Sequence, residues 1–274
     1  MSKVAAIQMA SGPNVNANLI EATRLITMAA DAGAVLVVLP ENFAVMGLSE
    51  FDKVKIREAD GQGVIQDFLN EQAAKHGVWL VGGTIPLAAH DPDKVRSACL
   101  LIDDQGQRVA RYDKIHLFDV ELPDNGERYV ESDTIAEGDQ VVVVDSPFGR
   151  LVLAICYDLR FPELFRKMAD QGVELIAIPS AFTAITGMAH WEPLVRARAI
   201  ENLCYVIAAG QGGYHVNGRE TYGDSMIVDP WGRVLDRLPS GSGFVLAELD
   251  MGNLESIRRN FPVLEHRRMQ CVTT

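Results

Sequence analysis

The sequence predicts an α/β fold with mixed sheets, and three observations predict it. Short apolar runs of strand length alternate with longer stretches of helical period. Some neighbouring runs are joined by tight turn signals, which makes hairpins, while others are separated by a helix, which makes βαβ units. These patterns continue through the chain with no Gly/Ser/Pro linker or charge run, so residues 1–274 read as one domain with a large core.

The elements follow in order. Val4–Met9 is a strand, and Asn16–Gly33 is a helix because Leu19, Thr23, Ile26 and Ala30 recur near helical spacing. Val35–Leu39 is a buried strand, Val64–His76 a helix and Trp79–Gly82 a strand. Arg96–Asp103 and Gln107–Arg111 flank the turn signal Asp104-Gln-Gly106 and form a hairpin. Val141–Asp145 and Leu151–Ile155 flank Ser146-Pro-Phe-Gly149 in the same way. Pro162–Gln171 is a helix, with proline at a favoured first position, and Leu175–Ile178 a strand. Trp191–Asn202 is a helix and Tyr205–Ala209 a strand; Ser225–Asp229, Arg233–Leu238 and Gly243–Leu249 are the last strands. Residues 32–43 align without gaps to residues 171–182: each is a helix end, a glycine C-cap, a buried strand, then proline and a loop. Any αβ unit has this outline. The sharper reading is that both loops emerge on one edge, where sites of α/β proteins gather.

Composition excludes several roles. The chain is 48% hydrophobic and 23% charged, with mean hydropathy +0.06, as expected of a soluble globular protein. Its formal charge of −12 and isoelectric point near 4.9 argue against a nucleic-acid partner and an anionic membrane surface. The N-terminus enters a strand at once, with no secretory signal, and no apolar run reaches the roughly 18–20 residues that span a bilayer. Cys99, Cys156, Cys204 and Cys271 are scattered, without zinc spacing, which fits reduced thiols in the cytoplasm. No Gly-rich phosphate loop and no histidine–carboxylate metal cluster is present, so neither cofactor nor metal is expected.

Three segments carry chemistry. Ala154-Ile-Cys-Tyr-Asp-Leu-Arg-Phe-Pro-Glu163 places Cys156 on a strand-to-helix turn, where outward N–H groups and the helix dipole favour a thiolate. The competing reading of Cys156 is a small core hydrophobe. Leu36-Val-Val-Leu-Pro-Glu-Asn-Phe43 is a buried strand ending in Glu41, and Tyr112-Asp-Lys-Ile-His-Leu-Phe-Asp119 carries Lys114 after another strand. A solvated loop carboxylate and a surface lysine are the ordinary readings of the last two.

Together these segments resemble the nitrilase, or carbon–nitrogen hydrolase, superfamily, with glutamate, lysine and cysteine in the family's order. The resemblance runs from Ala5-Ala-Ile-Gln8 to Pro262–Arg268. Ser180–Trp191 and Tyr222–Gly232 are most similar to the Nit branch, amidases acting on deaminated glutathione and omega-amides. The resemblance implies a four-layer αββα sandwich. It also implies a homodimer or higher homo-oligomer, associating through the helix after the nucleophile.

The implied reaction splits an amide through a cysteine thioester, giving acid and ammonia from a small carboxylate substrate. Free cysteine has a pKa of about 8.5 and needs activation. The family assigns that to a carboxylate, here Glu41. Lys114 matches the cation at the oxyanion, with the Tyr157 N–H as second donor. Glu131, in Tyr129-Val-Glu-Ser132, matches the second family glutamate; Glu127 is the neighbouring alternative. Arg160 is a candidate bidentate clamp for a substrate carboxylate, and Thr186 accompanies it in the Nit branch. An ion pair with Glu163 or Asp158 is the competing role for Arg160. His190 and Trp191 either line the pocket or are structural, and His116 reads as a structural hydrogen-bonder. Nitrilases often carry tryptophan beside the cysteine, so Tyr157 favours an amidase. Three alternatives stay open: an omega-amidase or other superfamily hydrolase, a Cys-His hydrolase using His116 or His190, and a non-catalytic binding protein.

Overall fold

Strands whose two faces are both covered lose their polar side, and the central strands here are almost entirely apolar for that reason. The computed structural model describes residues 1–121 and 128–269. Glu127 and Cys271 lie outside the described residues.

The N-terminal half holds β1 (Ser2–Gln8), α1 (Val15–Asp31), β2 (Ala34–Val38), α2 (Asp52–Lys55), α3 (Val64–His76), β3 (Trp79–Val81), β4 (Ile85–Ala88), β5 (Val95–Ile102) and β6 (Arg108–Asp113). A short ribbon follows, β7 (Asp119–Glu121) with β8 (Arg128–Val130). Then come β9 (Val143–Ser146), β10 (Gly149–Leu153), α4 (Pro162–Ala169), β11 (Leu175–Ser180), α5 (Ala184–Asn202) and β12 (Tyr205–Gly210). The chain continues through β13 (Gly212–Tyr214), β14 (Glu220–Tyr222), β15 (Ser225–Val228), β16 (Val234–Leu238), β17 (Gly243–Leu249) and α6 (Met251–Asn260).

One sheet runs β17-β1-β2-β3-β5-β4, with β6 on the far edge of β5; the other runs β16-β15-β12-β11-β10-β9. Both are mixed: β1–β2–β3 and β10–β11–β12 are parallel, and their neighbours are antiparallel. Burial sorts by strand parity. Val4, Ala6, Leu36 and Val38 pack into a core shared with the second sheet, while Ala5, Ile7 and Val37 pack into a core shared with α1 and α3. Phe165, Met168, Trp191, Val195 and Ala199 of α4 and α5 cover the second sheet. The layers are therefore helix, sheet, sheet, helix, as expected. No described helix is long and apolar enough to cross a membrane.

The expected strands and helices occur, with ends shifted by one or two residues at most positions; α3 starts and stops as predicted. The larger differences have local causes. α5 begins at Ala184, seven residues before the predicted Trp191, because the Thr183 side chain caps the Thr186 N–H. Gly187 hides this turn in sequence, and it is glycine because a Cβ there would strike Tyr222. α6 was not expected; it buries only Leu254, so its period is weak. β4 contains Pro86 and reads as a breaker. Leu151–Ile155 was expected to be strand throughout, but β10 ends at Leu153.

Candidate active site

Each side chain of the cluster arrives at a pinned strand end. Beyond β2, Leu39 N–H donates to the Val81 carbonyl (2.9 Å), Asn42 N–H to Thr84 Oγ1 (2.9 Å), and Gln211 Nε2 to the Glu41 carbonyl (3.0 Å). Glu41 is thereby held in a loop with almost no exposure. Lys114 follows β6 directly, its N–H on the Ser97 carbonyl and its own carbonyl accepting from Gly138. Cys156 opens a 3₁₀ turn, Cys156–Arg160, between β10 and α4. Its φ of +45° lies in the left-handed region, which a side chain with a Cβ adopts at a cost of about 1–2 kcal/mol.

These positions converge. Lys114 Nζ lies 2.8 Å from Glu41 Oε1 and 2.8 and 3.0 Å from the two oxygens of Glu131. Glu131 Oε2 also accepts the Phe118 N–H at 2.8 Å. The Cys156 thiol lies beside Glu41 and the Ala181 backbone, close enough for both to act on it. Glu41, Lys114, Glu131, Cys156, Tyr157, Arg160 and Thr186 all line one narrow cavity of about 20 Å³, room for about one water.

Electrostatics assign charge states. Burial works against the Lys114 ammonium, but Glu131 and Glu41 outweigh it and hold its pKa well above the ordinary lysine value. Burial raises the Glu131 carboxyl, yet Lys114, with help from Lys53, brings it below the usual glutamate value. The Cys156 thiol is driven well above its ordinary value by burial and by the charge of Glu41, which Lys114 only partly opposes. This corrects the sequence expectation of a helix-dipole thiolate. The 3₁₀ turn intervenes, so α4 starts only at Pro162 and its N-terminal N–H groups are not at the sulfur. The raised thiol therefore keeps its proton, beside Glu41.

Arg160 forms no ion pair with Glu163 or Asp158. Its guanidinium lies 5.0 Å from the Phe182 ring centroid and 5.8 Å from that of Tyr157, and Nη1 meets His190 Nδ1 at 3.1 Å. Its buried Nε has no hydrogen-bond partner, which leaves a donor available to a ligand. Thr186 Oγ1 lies 2.8 Å from Thr183 Oγ1. Trp191 is structural: it is buried and donates to the Asp224 carbonyl at 2.7 Å. Neither His116 nor His190 lines the cysteine cavity. Among the described residues no group of histidine, cysteine and carboxylate side chains could hold a metal.

Sequence reasoning missed Asp158. Fully buried, it accepts from Tyr112 Oη (2.7 Å), Ile155 N–H (2.9 Å) and His116 N–H (3.0 Å), and pairs with His116 Nδ1 (2.7 Å). One carboxylate thus ties the residue before Cys156 to the segment just after Lys114. Its position two residues beyond the cysteine was the available signal. Arg219, Asn42, Phe118 and Phe182 also line the cavity, and nothing local in the sequence marked them.

The carbon–nitrogen hydrolase family model matches residues 3–259. The chain belongs to the carbon–nitrogen hydrolase family. Like its family, it is a hydrolase acting on carbon–nitrogen bonds. It is similar to a Yersinia enterocolitica protein named deaminated glutathione amidase, 41% identical over 268 residues, covering 97% of this chain and 93% of that protein. Among solved structures it resembles the NitFhit protein of Caenorhabditis elegans, with TM-score 0.90 and 39% identity. That match covers 97% of this carbon–nitrogen hydrolase and spans 65% of the NitFhit chain. Saccharomyces cerevisiae Nit3, described as a member of branch 10 of the nitrilase superfamily, superposes with TM-score 0.87 and 32% identity, covering 98% of this chain and 97% of that one.

Proposed function

We propose that this chain is a cysteine amidase that hydrolyses an amide of a small carboxylate substrate, of the deaminated glutathione kind, through a thioester. The observation that carries the reading is the buried Glu41–Lys114–Glu131 ion cluster sharing one narrow cavity with Cys156. Glu41 takes the thiol proton as sulfur attacks the amide carbon, so the thiolate forms only when substrate is present. The Lys114 ammonium and the Tyr157 N–H receive the oxyanion. As the tetrahedral adduct collapses the C–N bond breaks, and Glu41 returns the proton to the departing nitrogen. A water then loses its proton to Glu41 and attacks the thioester, releasing the acid and restoring the thiol. Glu131 holds Lys114 in place and charged, and Arg160 with Thr186 receives the acyl-side carboxylate.

The runner-up is an omega-amidase acting on α-ketoglutaramate, with the same residues. The Cys-His alternative has less support, since Glu41 and not a histidine meets the thiol. Residues 1–274 are proposed as one functional domain. A cytoplasmic setting is supported by three free cysteines, Cys99, Cys156 and Cys204. A homo-oligomer through α4 and α5 is supported by the exposed apolar residues Met188 and Ile200 on α5. The −12 charge speaks against nucleic-acid and membrane partners.

The test measures acid and amine release from deaminated glutathione, α-ketoglutaramate, an aliphatic nitrile and a carbamoyl amino acid. Turnover of the first two, led by deaminated glutathione, is expected. A preference for the nitrile or the carbamoyl compound would overturn the reading.

A further inference from the structure

Two glutamines, Gln8 and Gln211, are sealed completely from solvent. Burying a side-chain amide is costly unless it is hydrogen-bonded, so each is informative for what it holds. Gln8, at the end of β1, accepts from the Ser225 N–H (2.8 Å) and donates to the Gly241 carbonyl (3.0 Å). It joins β1 of the first sheet to β15 of the second, away from the lining of the cysteine cavity.

Gln211 is the single residue between β12 and β13, and its bonds run to two walls of the site. Its main chain belongs with the second sheet. The N–H donates to the Ser180 carbonyl (2.9 Å), and the carbonyl accepts from Gly223 (2.9 Å). Ser180 is followed directly by Ala181, whose backbone lies beside the Cys156 thiol. Its side chain reaches across to the loops of the first sheet. Nε2 donates to the Glu41 carbonyl (3.0 Å) and to Ser11 Oγ (2.7 Å), and Oε1 accepts the Ser11 N–H (2.9 Å). Ser11 Oγ in turn donates to the Phe43 carbonyl (2.8 Å).

The amide therefore grips Glu41 directly and Phe43 through one hydroxyl, on either side of Asn42. That residue has φ +57°, in the left-handed region, a sparsely populated conformation that persists where its surroundings impose it. The turn that aims the Glu41 carboxyl is thus clamped from the opposite sheet. A general base works only within hydrogen-bond reach of the proton it takes, so the clamp bears on chemistry as well as on folding.

We infer that Gln211 is a positioning residue: it ties the loop that carries Glu41 to the loop that faces Cys156, and so sets the spacing between base and thiol. It does not line the cysteine cavity and acts through Glu41. This rests on the reading of Glu41 as the base.

The test compares Gln211→Met with Gln8→Met, each close in size to the glutamine it replaces and each without its amide. Both should lower the denaturant midpoint. Only Gln211→Met should lower kcat on deaminated glutathione, by roughly tenfold to a hundredfold with KM little changed, since displacing a reacting group by about 1 Å costs on that order. Its alkylation by iodoacetamide should also move to lower pH, because the Glu41 charge has drawn away from the sulfur. Gln8→Met should keep the wild-type kcat and alkylation profile. In a Glu41→Gln background, Gln211→Met should cost no further kcat, as no base is left to aim. Ser11→Ala is gentler. It should lower kcat roughly twofold to tenfold, the worth of one hydrogen bond, and it decides the matter if Gln211→Met does not fold. Equal kcat losses in the two glutamine variants, or a loss that persists undiminished in Glu41→Gln, would make Gln211 a fold stabiliser only. Unchanged kcat in Gln211→Met or Ser11→Ala overturns the inference as well. Full activity in Glu41→Gln alone would instead strike the reading of Glu41 as the base.

Discussion

Residues 32–43 and 171–182 are the same local unit used twice, and the two copies do different work. Each has its glycine in the left-handed region, Gly33 at φ +92° and Gly172 at φ +77°. Each then sends a buried strand, β2 in one sheet and β11 in the other, to the same edge. Both loops reach the cysteine cavity. The first delivers a carboxylate, Glu41; at the matching position the second has Ser180, buried and turned back towards the Ile178 carbonyl. What the second unit supplies is backbone and wall: the Ala181 amide at the sulfur and the Phe182 ring under Arg160. A shared fold unit gives direction and rigidity, and one side chain at its tip decides whether it brings a carboxyl group into the site or only walls it.

The largest effect should come from the residue both loops face. Cys156→Ala or Cys156→Ser should remove nearly all turnover with the thermal unfolding transition little moved; near-normal activity in either would end the mechanism. Next, Glu41→Gln should slow turnover by roughly 10²–10⁴. The same change removes the negative charge that raises the Cys156 pKa, so alkylation against pH should shift to lower pH. Lys114→Met should cost roughly 10²–10³ in turnover and shift alkylation to higher pH, because a cation has been lost. If both variants moved alkylation the same way, the opposed roles of the two groups would be wrong. In wild type, Cys156 should react before Cys99 and Cys204. All three thiols are raised, Cys204 to about 12, but only Cys156 lines a cavity.

Asp158→Asn comes third. It leaves the shape but disturbs four hydrogen-bonding groups, on Tyr112, Ile155 and His116, at about 1–3 kcal/mol in denaturant unfolding. As a positioning residue between the elbow and the Lys114 segment, its loss should lower kcat more than it raises KM; a change in KM alone would show that it shapes binding instead. The smallest effect tests the repeat itself. Gly33→Ala and Gly172→Ala should each destabilise by about 1–2 kcal/mol, through the positive φ, without changing kcat. Unequal costs would show that the two units are alike in outline only.

Much of this site was legible because strand ends announce themselves. An apolar run followed by a single charged residue, as at Glu41 and Lys114, is a local signal. So was Cys156 before a proline-led helix, although the 3₁₀ turn between them was not, and with it went the expected thiolate. Asp158 was invisible because three of its four hydrogen-bonding groups belong to Tyr112 and His116, more than 40 residues away. Arg219 was invisible because a two-stranded ribbon of three-residue strands carries no periodicity to read. α5 was shortened in the reading because Gly187 looks like a breaker, when the closeness of Tyr222 requires it.

The raised thiol has a consequence outside turnover. Peroxide and related oxidants attack the thiolate, and susceptibility follows thiolate character and exposure. An idle enzyme whose Cys156 keeps its proton, tucked against Glu41, offers them little to react with. On the proposed mechanism the sulfur becomes nucleophilic only when an amide occupies the cavity, and then a carbonyl carbon stands between it and any oxidant. On that mechanism substrate scarcity would leave this hydrolase protected, whereas an enzyme resting as a thiolate would be drawn towards sulfenic acid during the same wait.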